Sequence, residues 1–218
     1  MLTSIIFDLD ETLIDREATM HAFLEQQYDR FSEHLGCDAA GFCAQTLALQ
    51  AGGYADKYDA YCSSLSILGE RIDLAGQLMQ DLEDHYGNDA IAFEGAADVL
   101  MLLRPRYRTG LITNGRSLGQ RNKLRSAGLE GLFDAVSISE EVGVKKPDPG
   151  IFKHCLEQLA VDVTQVVYVG DNPLNDIEPA HRMGMKTVWF SNARFEPPDM
   201  ASAVVEDLFN LPAVIARL

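Results

Sequence analysis

Four short polar clusters, each following an apolar run, hold the residues of this chain best suited to chemistry: Asp8-Leu9-Asp10-Glu11-Thr12, Thr113-Asn114-Gly115, Lys145-Lys146-Pro147, and Gly170-Asp171-Asn172 with Asp176 beyond. Asp8, Asp10 and Asp171, brought together, would repel one another and raise one another's pKa unless a cation neutralised them. A hard divalent ion held by a few carboxylates, a carbonyl, waters and a phosphate oxygen describes magnesium, and no cysteine or histidine cluster stands beside these residues to favour zinc. One carboxylate can then attack phosphorus as a nucleophile while a second, protonated near the leaving oxygen, acts as general acid. Lys146 and the Thr113 hydroxyl can neutralise charge on the transferring group.

For these clusters to meet, the elements before them must be parallel strands. Apolar runs at Ser4 to Phe7, Gly110 to Ile112, Ala135 to Ile138, Val166 to Val169 and Thr187 to Phe190 read as buried strands. Helix-like segments from Leu118 to Leu129, Pro149 to Leu159 and Pro173 to Met183 lie between the later runs, the alternation of a doubly wound α/β fold. In such a sheet ligands bind beyond the carboxyl ends of the strands, so one crevice would collect all four clusters. Successive strand residues face opposite ways, so Asp8 and Asp10 share a site only if the strand ends between them. Asp148 caps a helix with Pro149 at its first position, placing Lys146 just before it. Leu208, Leu211, Ile215 and Leu218 suggest a last amphipathic helix.

The alternation breaks over residues 16–88, which read as a mostly helical insertion into a core formed by 1–15 and 89–218. Met20, Phe23, Leu24, Gln27, Phe31 and Leu35 mark its first stripe, with further helix-like blocks at Tyr54 to Leu68 and Leu74 to Tyr86 and a break at Gly52-Gly53. Tyr54, Lys57, Tyr58 and Tyr61 could face a ligand, but an aromatic stripe at this spacing is more often packing. Arg116 suits a helix start as well as a ligand contact, and His181 and Arg182 read as structural or surface residues.

Taken singly, each cluster is an ordinary turn or helix entry; four in order at strand ends are not. Phe7-Asp8-Leu9-Asp10-Glu11-Thr12-Leu13 resembles the first motif of the haloacid dehalogenase-like hydrolases. Thr113-Asn114-Gly115, Lys146-Pro147-Asp148 with Ile151-Phe152, and Gly170-Asp171-Asn172-Pro173-Leu174-Asn175-Asp176 are similar to the second, third and fourth. The resemblance implies a Rossmann-like core with Asp8 as nucleophile, Asp10 as acid and base, and Thr113, Asn114 and Lys146 as phosphate contacts. It also implies a magnesium ion (Mg2+) on Asp8, Asp171 and the backbone carbonyl of Asp10. Asp176 would orient the metal shell or Lys146, and the helical insertion would be a cap domain that closes over the crevice and selects substrates.

The expected activity is therefore hydrolysis of a small organic phosphate monoester of the nucleotide or sugar phosphate class. A 2-haloacid dehalogenase would not need Asp10 to protonate an alkoxide. A phosphomutase would need cations in the cap for a second phosphate, and residues 17–90 offer Arg30, Lys57 and Arg71 among many acids. A silent binding protein on the same fold would lack part of the set. The 218 residues, 47% hydrophobic, suffice for a buried core, and a net charge of −15 disfavours nucleic acid and anionic membranes as partners. Cys37, Cys43, Cys62 and Cys155 form no CxxC pair, and the apolar run before Asp8 is too short for a signal sequence or membrane span. A cytoplasmic protein with reduced thiols is the expectation; oligomeric state is not legible.

Overall fold

A computed structural model describes residues 1–53 and 55–218. In chain order the elements are β1 (Ser4–Phe7), α1 (Arg16–Phe31), α2 (Ala39–Leu49), α3 (Lys57–Leu68), α4 (Ala75–His85), α5 (Ala96–Leu103) and β2 (Arg108–Thr113). There follow α6 (Ser117–Ser126), β3 (Ala135–Ile138), α7 (Ser139–Val142), α8 (Pro149–Leu159), β4 (Val166–Gly170), α9 (Glu178–Arg182), β5 (Lys186–Phe190), β6 (Ala203–Val205) and α10 (Leu211–Ile215). They divide into two compact units, Met1–Asp15 with Ala90–Leu218, and Arg16–Asp89.

The first unit is a six-stranded, all-parallel sheet in the order β3-β2-β1-β4-β5-β6. Alternation along the strands divides its apolar residues between two faces. Ile5, Phe7, Leu111, Val167, Val169 and Val188 pack with α5, α6 and α10, whereas Ile6, Ile112 and Tyr168 pack with Ile151, Phe152, Cys155 and Leu159 of α8. Helices thus cover both faces, as a parallel sheet requires. The strand order reverses between β1 and β4, so the crevice of a doubly wound fold opens beyond these two carboxyl ends.

Ser4 to Phe7 and Ala135 to Ile138 are strands as their sequence suggests, and the other three apolar runs lie inside slightly longer ones. β6 has no such signal: it is a three-residue edge strand with Val204 exposed and Val205 buried. The segment from Pro173 to Met183 opens as a π-helical turn over Pro173–Ile177 before α9. The last helix is a 3-10 turn, Leu208–Asn210, running into α10, with Leu208, Leu211 and Ile215 buried.

The second unit is a bundle of α1 to α4. Met20, Phe23, Leu24, Phe42, Tyr61, Leu65 and Leu78 are among the side chains of its core. A helix absent from the sequence reading, α2, begins at Asp38, whose side chain accepts from the Gly41 amide. The break at Gly52-Gly53 is a 3-10 turn in which both glycines take positive φ, a conformation with little steric cost without a Cβ. Tyr54 lies outside the described residues. Tyr58 is exposed, but Tyr61 is wholly buried: its hydroxyl donates to Gln27 Oε1 at 2.7 Å. Gln27 in turn donates to the Leu78 carbonyl and to Asp81, both at 2.9 Å, and Arg30 grips both oxygens of Asp81 at 2.8 and 2.7 Å. Removing one member leaves a buried acceptor unmatched. Tyr61→Phe is expected to destabilise the bundle by about 1–3 kcal/mol, read as a lower urea midpoint with an unchanged slope; an unchanged midpoint would show that this hydroxyl contributes nothing.

Candidate active site

The β1 strand ends at Phe7, which sits opposite Leu111 of β2 and Val169 of β4. The Asp8 amide still donates to the Val169 carbonyl at 2.9 Å, and then the chain turns: Leu13 and Ile14 both donate to the Leu9 carbonyl, and Glu11 adopts φ 64°. The turn frees Asp10 from the alternation of the strand, and its charge is close enough to help raise the pKa of Asp8. Asp8 is buried.

Lys146 comes from the loop between β3 and α8, where the Lys146–Pro147 peptide is cis. Asp148 caps α8 through the Gly150 amide, and Pro149 occupies its first turn. Asn114, just past β2, clamps the loop: its Nδ2 donates to the Lys146 carbonyl at 3.0 Å and its Oδ1 accepts from the Lys146 amide at 2.8 Å. The buried ammonium then donates to Asp8 Oδ1 at 2.5 Å and Asp176 Oδ1 at 2.6 Å. Burial by itself would lower the pKa of Lys146, but Asp176 and Asp8 outweigh it and hold the group above its ordinary value. Lys145 is exposed.

Asp10 faces different partners. Its Oδ1 accepts from the buried Lys123 ammonium at 2.6 Å, and its Oδ2 from Gln120 Nε2 at 2.9 Å. The Gln120 nitrogen also lies 2.5 Å from the Thr113 hydroxyl oxygen. Thr113 ends β2 and is buried. Gly115 has φ 144°, and a Cβ there would meet Gln120 Cγ and Cδ at 3.2 Å, so glycine gives the glutamine its room. Sequence reasoning missed Gln120 and Lys123. The available signal was polarity at positions three apart on the inward face of a helix, where apolar side chains are expected.

Asp171 and Asp176 follow β4. Asn172 caps the π-helical turn by accepting from the amides of Leu174 and Asn175. That turn folds Asp176 back on the strand: its Oδ2 accepts from the Asn172 amide at 3.0 Å, and its Oδ1 also accepts from the Tyr168 hydroxyl at 2.9 Å. The return is possible because residue 170 is glycine; a Cβ there would stand 2.6 Å from that of Asp176. Asp171 is fixed from β5 and the loop after it: Trp189 Nε1 donates to its carbonyl at 2.6 Å and Asn192 to its Oδ2 at 3.1 Å. Tyr168, Trp189 and Asn192 are further supports with no motif signal. Arg116 and His181 are exposed, and Arg182 pairs with Glu178.

Carboxylate oxygens of Asp8, Asp171 and Asp176 lie within 4.8 Å of one another, all three residues buried. Desolvation, followed by the charges of Asp176 and Asp8, lifts Asp171 to about 9; desolvation, opposed by Lys146 but assisted by Asp176, lifts Asp8 to about 7. Protein donors alone leave these carboxylates short of positive charge, and a hard divalent cation fits the oxygen-only donor set. The side chain of Asp10 is turned to Gln120 and Lys123, and that of Asp176 to Lys146, Tyr168 and Asn172.

Among curated proteins the chain is 30% identical to pyrimidine 5'-nucleotidase YjjG of Escherichia coli (strain K12), over 89% of this chain and 88% of that one. It is 32% identical to glyceraldehyde 3-phosphate phosphatase of Pyrococcus abyssi, over 87% and 82%. Among solved structures, a HAD phosphatase from Thermococcus onnurineus superposes with a TM-score of 0.71 at 27% identity, covering 98% of each chain. The family model for haloacid dehalogenase-like hydrolases matches residues 5–190, from β1 through the end of β5. With the doubly wound sheet and motif order in agreement, the chain belongs to the haloacid dehalogenase-like hydrolase family.

Proposed function

We propose that this enzyme is a magnesium-dependent phosphatase that hydrolyses a small organic phosphate monoester through an aspartyl-phosphate on Asp8. The observation that carries the reading is the buried Lys146 ammonium bridging Asp8 and Asp176 beside Asp171, at the carboxyl ends of adjacent strands. The named relatives support it, since one is a nucleotidase and another a sugar phosphate phosphatase. Nucleotides and sugar phosphates are accordingly the substrate classes proposed.

Asp8, Asp171 and the carbonyl of Asp10 would hold the ion, which when bound neutralises the carboxylates and polarises a phosphoryl oxygen. An Asp8 carboxylate oxygen attacks phosphorus, the bond to the leaving oxygen breaks, and Asp10 protonates that oxygen. Water then attacks the aspartyl-phosphate, gives a proton to Asp10, and the phosphorus–Asp8 bond breaks. Lys146 and Thr113 hold the transferring group, while Asp176 keeps Lys146 in place. Asn114, expected from its motif to touch the phosphate, instead has both ends of its side chain on the Lys146 backbone and fixes that loop. The helical unit is the proposed cap that selects the leaving group.

Asp10 carries two donors on its carboxylate and has no evident use in displacement of halide from carbon. A mutase needs free cations for a second phosphate, whereas Arg30 is bound to Asp81 and Arg71 to Asp73 within the helical unit. The set expected of a working site is complete, which disfavours a silent binding protein.

Purified enzyme with magnesium should release phosphate from members of a panel of sugar phosphates, nucleoside monophosphates and aryl phosphates, and Asp8→Asn should lower release at least about 1000-fold. No release from any member, or undiminished release by the variant, would refute the mechanism. Chelation should abolish turnover and added magnesium restore it; turnover that survives exhaustive chelation would remove the metal from the reading. Asp10→Asn should cost on the order of 100- to 10,000-fold in kcat/KM on alkyl phosphates and less on aryl phosphates, whose leaving groups need little protonation; equal losses of kcat/KM on both would deny Asp10 the acid role.

A further inference from the structure

Asp10 is held by two buried residues that belong to none of the four motifs. Lys123 is 2% exposed and Gln120 4%, so placing them beside Asp10 costs desolvation that their contacts must offset. Both come from one face of α6, three residues apart, and each takes a different oxygen of the carboxylate. An isolated ion pair would leave the carboxylate free to rotate about its bond to Cβ; donors on both oxygens remove that freedom. Gln120 adds a second constraint. Its nitrogen is within donating distance of the Thr113 hydroxyl oxygen, which directs the hydroxyl's own hydrogen to another acceptor.

We propose that Gln120 and Lys123 are positioning residues that hold Asp10 in the orientation from which it takes a proton from water as the aspartyl-phosphate is hydrolysed. Gln120 also couples that orientation to the Thr113 hydroxyl that faces the phosphoryl group. The inference rests on the phosphatase reading above. In the step concerned, the water oxygen bonds to phosphorus, the bond between phosphorus and Asp8 breaks, one water proton passes to Asp10, and Asp8 regains its carboxylate. A misdirected carboxylate slows this step. Formation of the intermediate from an aryl phosphate is affected less, because its phenolate leaves without a proton donor.

The test is pre-steady-state turnover of p-nitrophenyl phosphate with magnesium by wild type, Lys123→Met, Gln120→Met and Asp10→Asn. Lys123→Met and Gln120→Met are expected to lower kcat on the order of 10- to 100-fold, to lower KM by a similar factor so that kcat/KM stays within about twofold, and to give a burst of p-nitrophenolate approaching one equivalent per chain. A merely structural role would produce no burst. A kcat within about twofold of wild type, or a lower kcat without a burst, overturns the inference, and if Lys123→Met does not fold, Gln120→Met decides by the same readout. Wild type that hydrolyses none of the panel phosphates sinks the phosphatase reading itself. A burst in Asp10→Asn but in neither folded neighbour variant sinks this inference alone.

Discussion

The site depends on one buried ammonium. Lys146 is 4% exposed and Asp176 1%, and removing such ions from water costs several kcal/mol each unless geometry and hydrogen bonding compensate. Compensation comes from three parts of the chain: Asp8 after β1, Asp176 after β4, and Asn114 after β2, which fixes the backbone of the lysine. No two of these parts are close in sequence. They meet because β2, β1 and β4 are neighbours with all carboxyl ends on one side. The ion pair is therefore a product of sheet topology, and the residues that shape the loops serve it.

Those loop residues explain why the motifs have the lengths they do. Gly170 lacks a side chain because Asp176 returns against it, and Asn172 starts the turn that makes the return. With Asp176 held by Lys146, Tyr168 and the Asn172 amide, its oxygens are committed inward. Asp171 is anchored instead by Trp189 of β5 and by Asn192 just beyond it. Two carboxylates five residues apart thus have different partners, one held by a lysine, a tyrosine and an amide, the other by the strand and loop beyond β4. Trp189 links the next strand to this arrangement, so the sheet beyond β4 also has a part in the site.

How far this was legible beforehand follows the range of the interactions. The central strands are readable because both faces are covered and nearly every side chain is apolar, as at Ser4 to Phe7 and Val166 to Gly170. β6 is too short and too exposed to leave a pattern, and α2 buries Phe42, Cys43 and Thr46 without a broad apolar stripe. Asp8, Asp10, Thr113, Lys146 and Asp171 stood out because each lies in a polar cluster at or beyond the end of an apolar run, where chemistry collects. Gln120 and Lys123 lie more than 100 residues from Asp10 along the chain, and only the packing of α6 on the sheet makes them its neighbours. Asn114 stood out as well, but its clamp on the Lys146 backbone needed the meeting of two loops to be seen.

Charge balance connects these partnerships to the cation. Asp8, Asp10, Asp171 and Asp176 carry four negative charges when ionised, and Lys146 and Lys123 supply two positive ones. Two negative charges remain, in surroundings where water is scarce. Without a cation, protons are the way to relieve them: burial first, and then the neighbouring carboxylates, push Asp171 up to about 9 and, against the opposing charge of Lys146, Asp8 up to about 7. A divalent ion removes the same excess while keeping the carboxylates ionised, so ion and protons compete for these oxygens. Ionised Asp8 is what the proposed attack on phosphorus would require. The lysines set the size of the deficit: with either one absent the cluster would hold three uncompensated charges, and with a third it would hold one. Two lysines leave an excess that one divalent cation would neutralise.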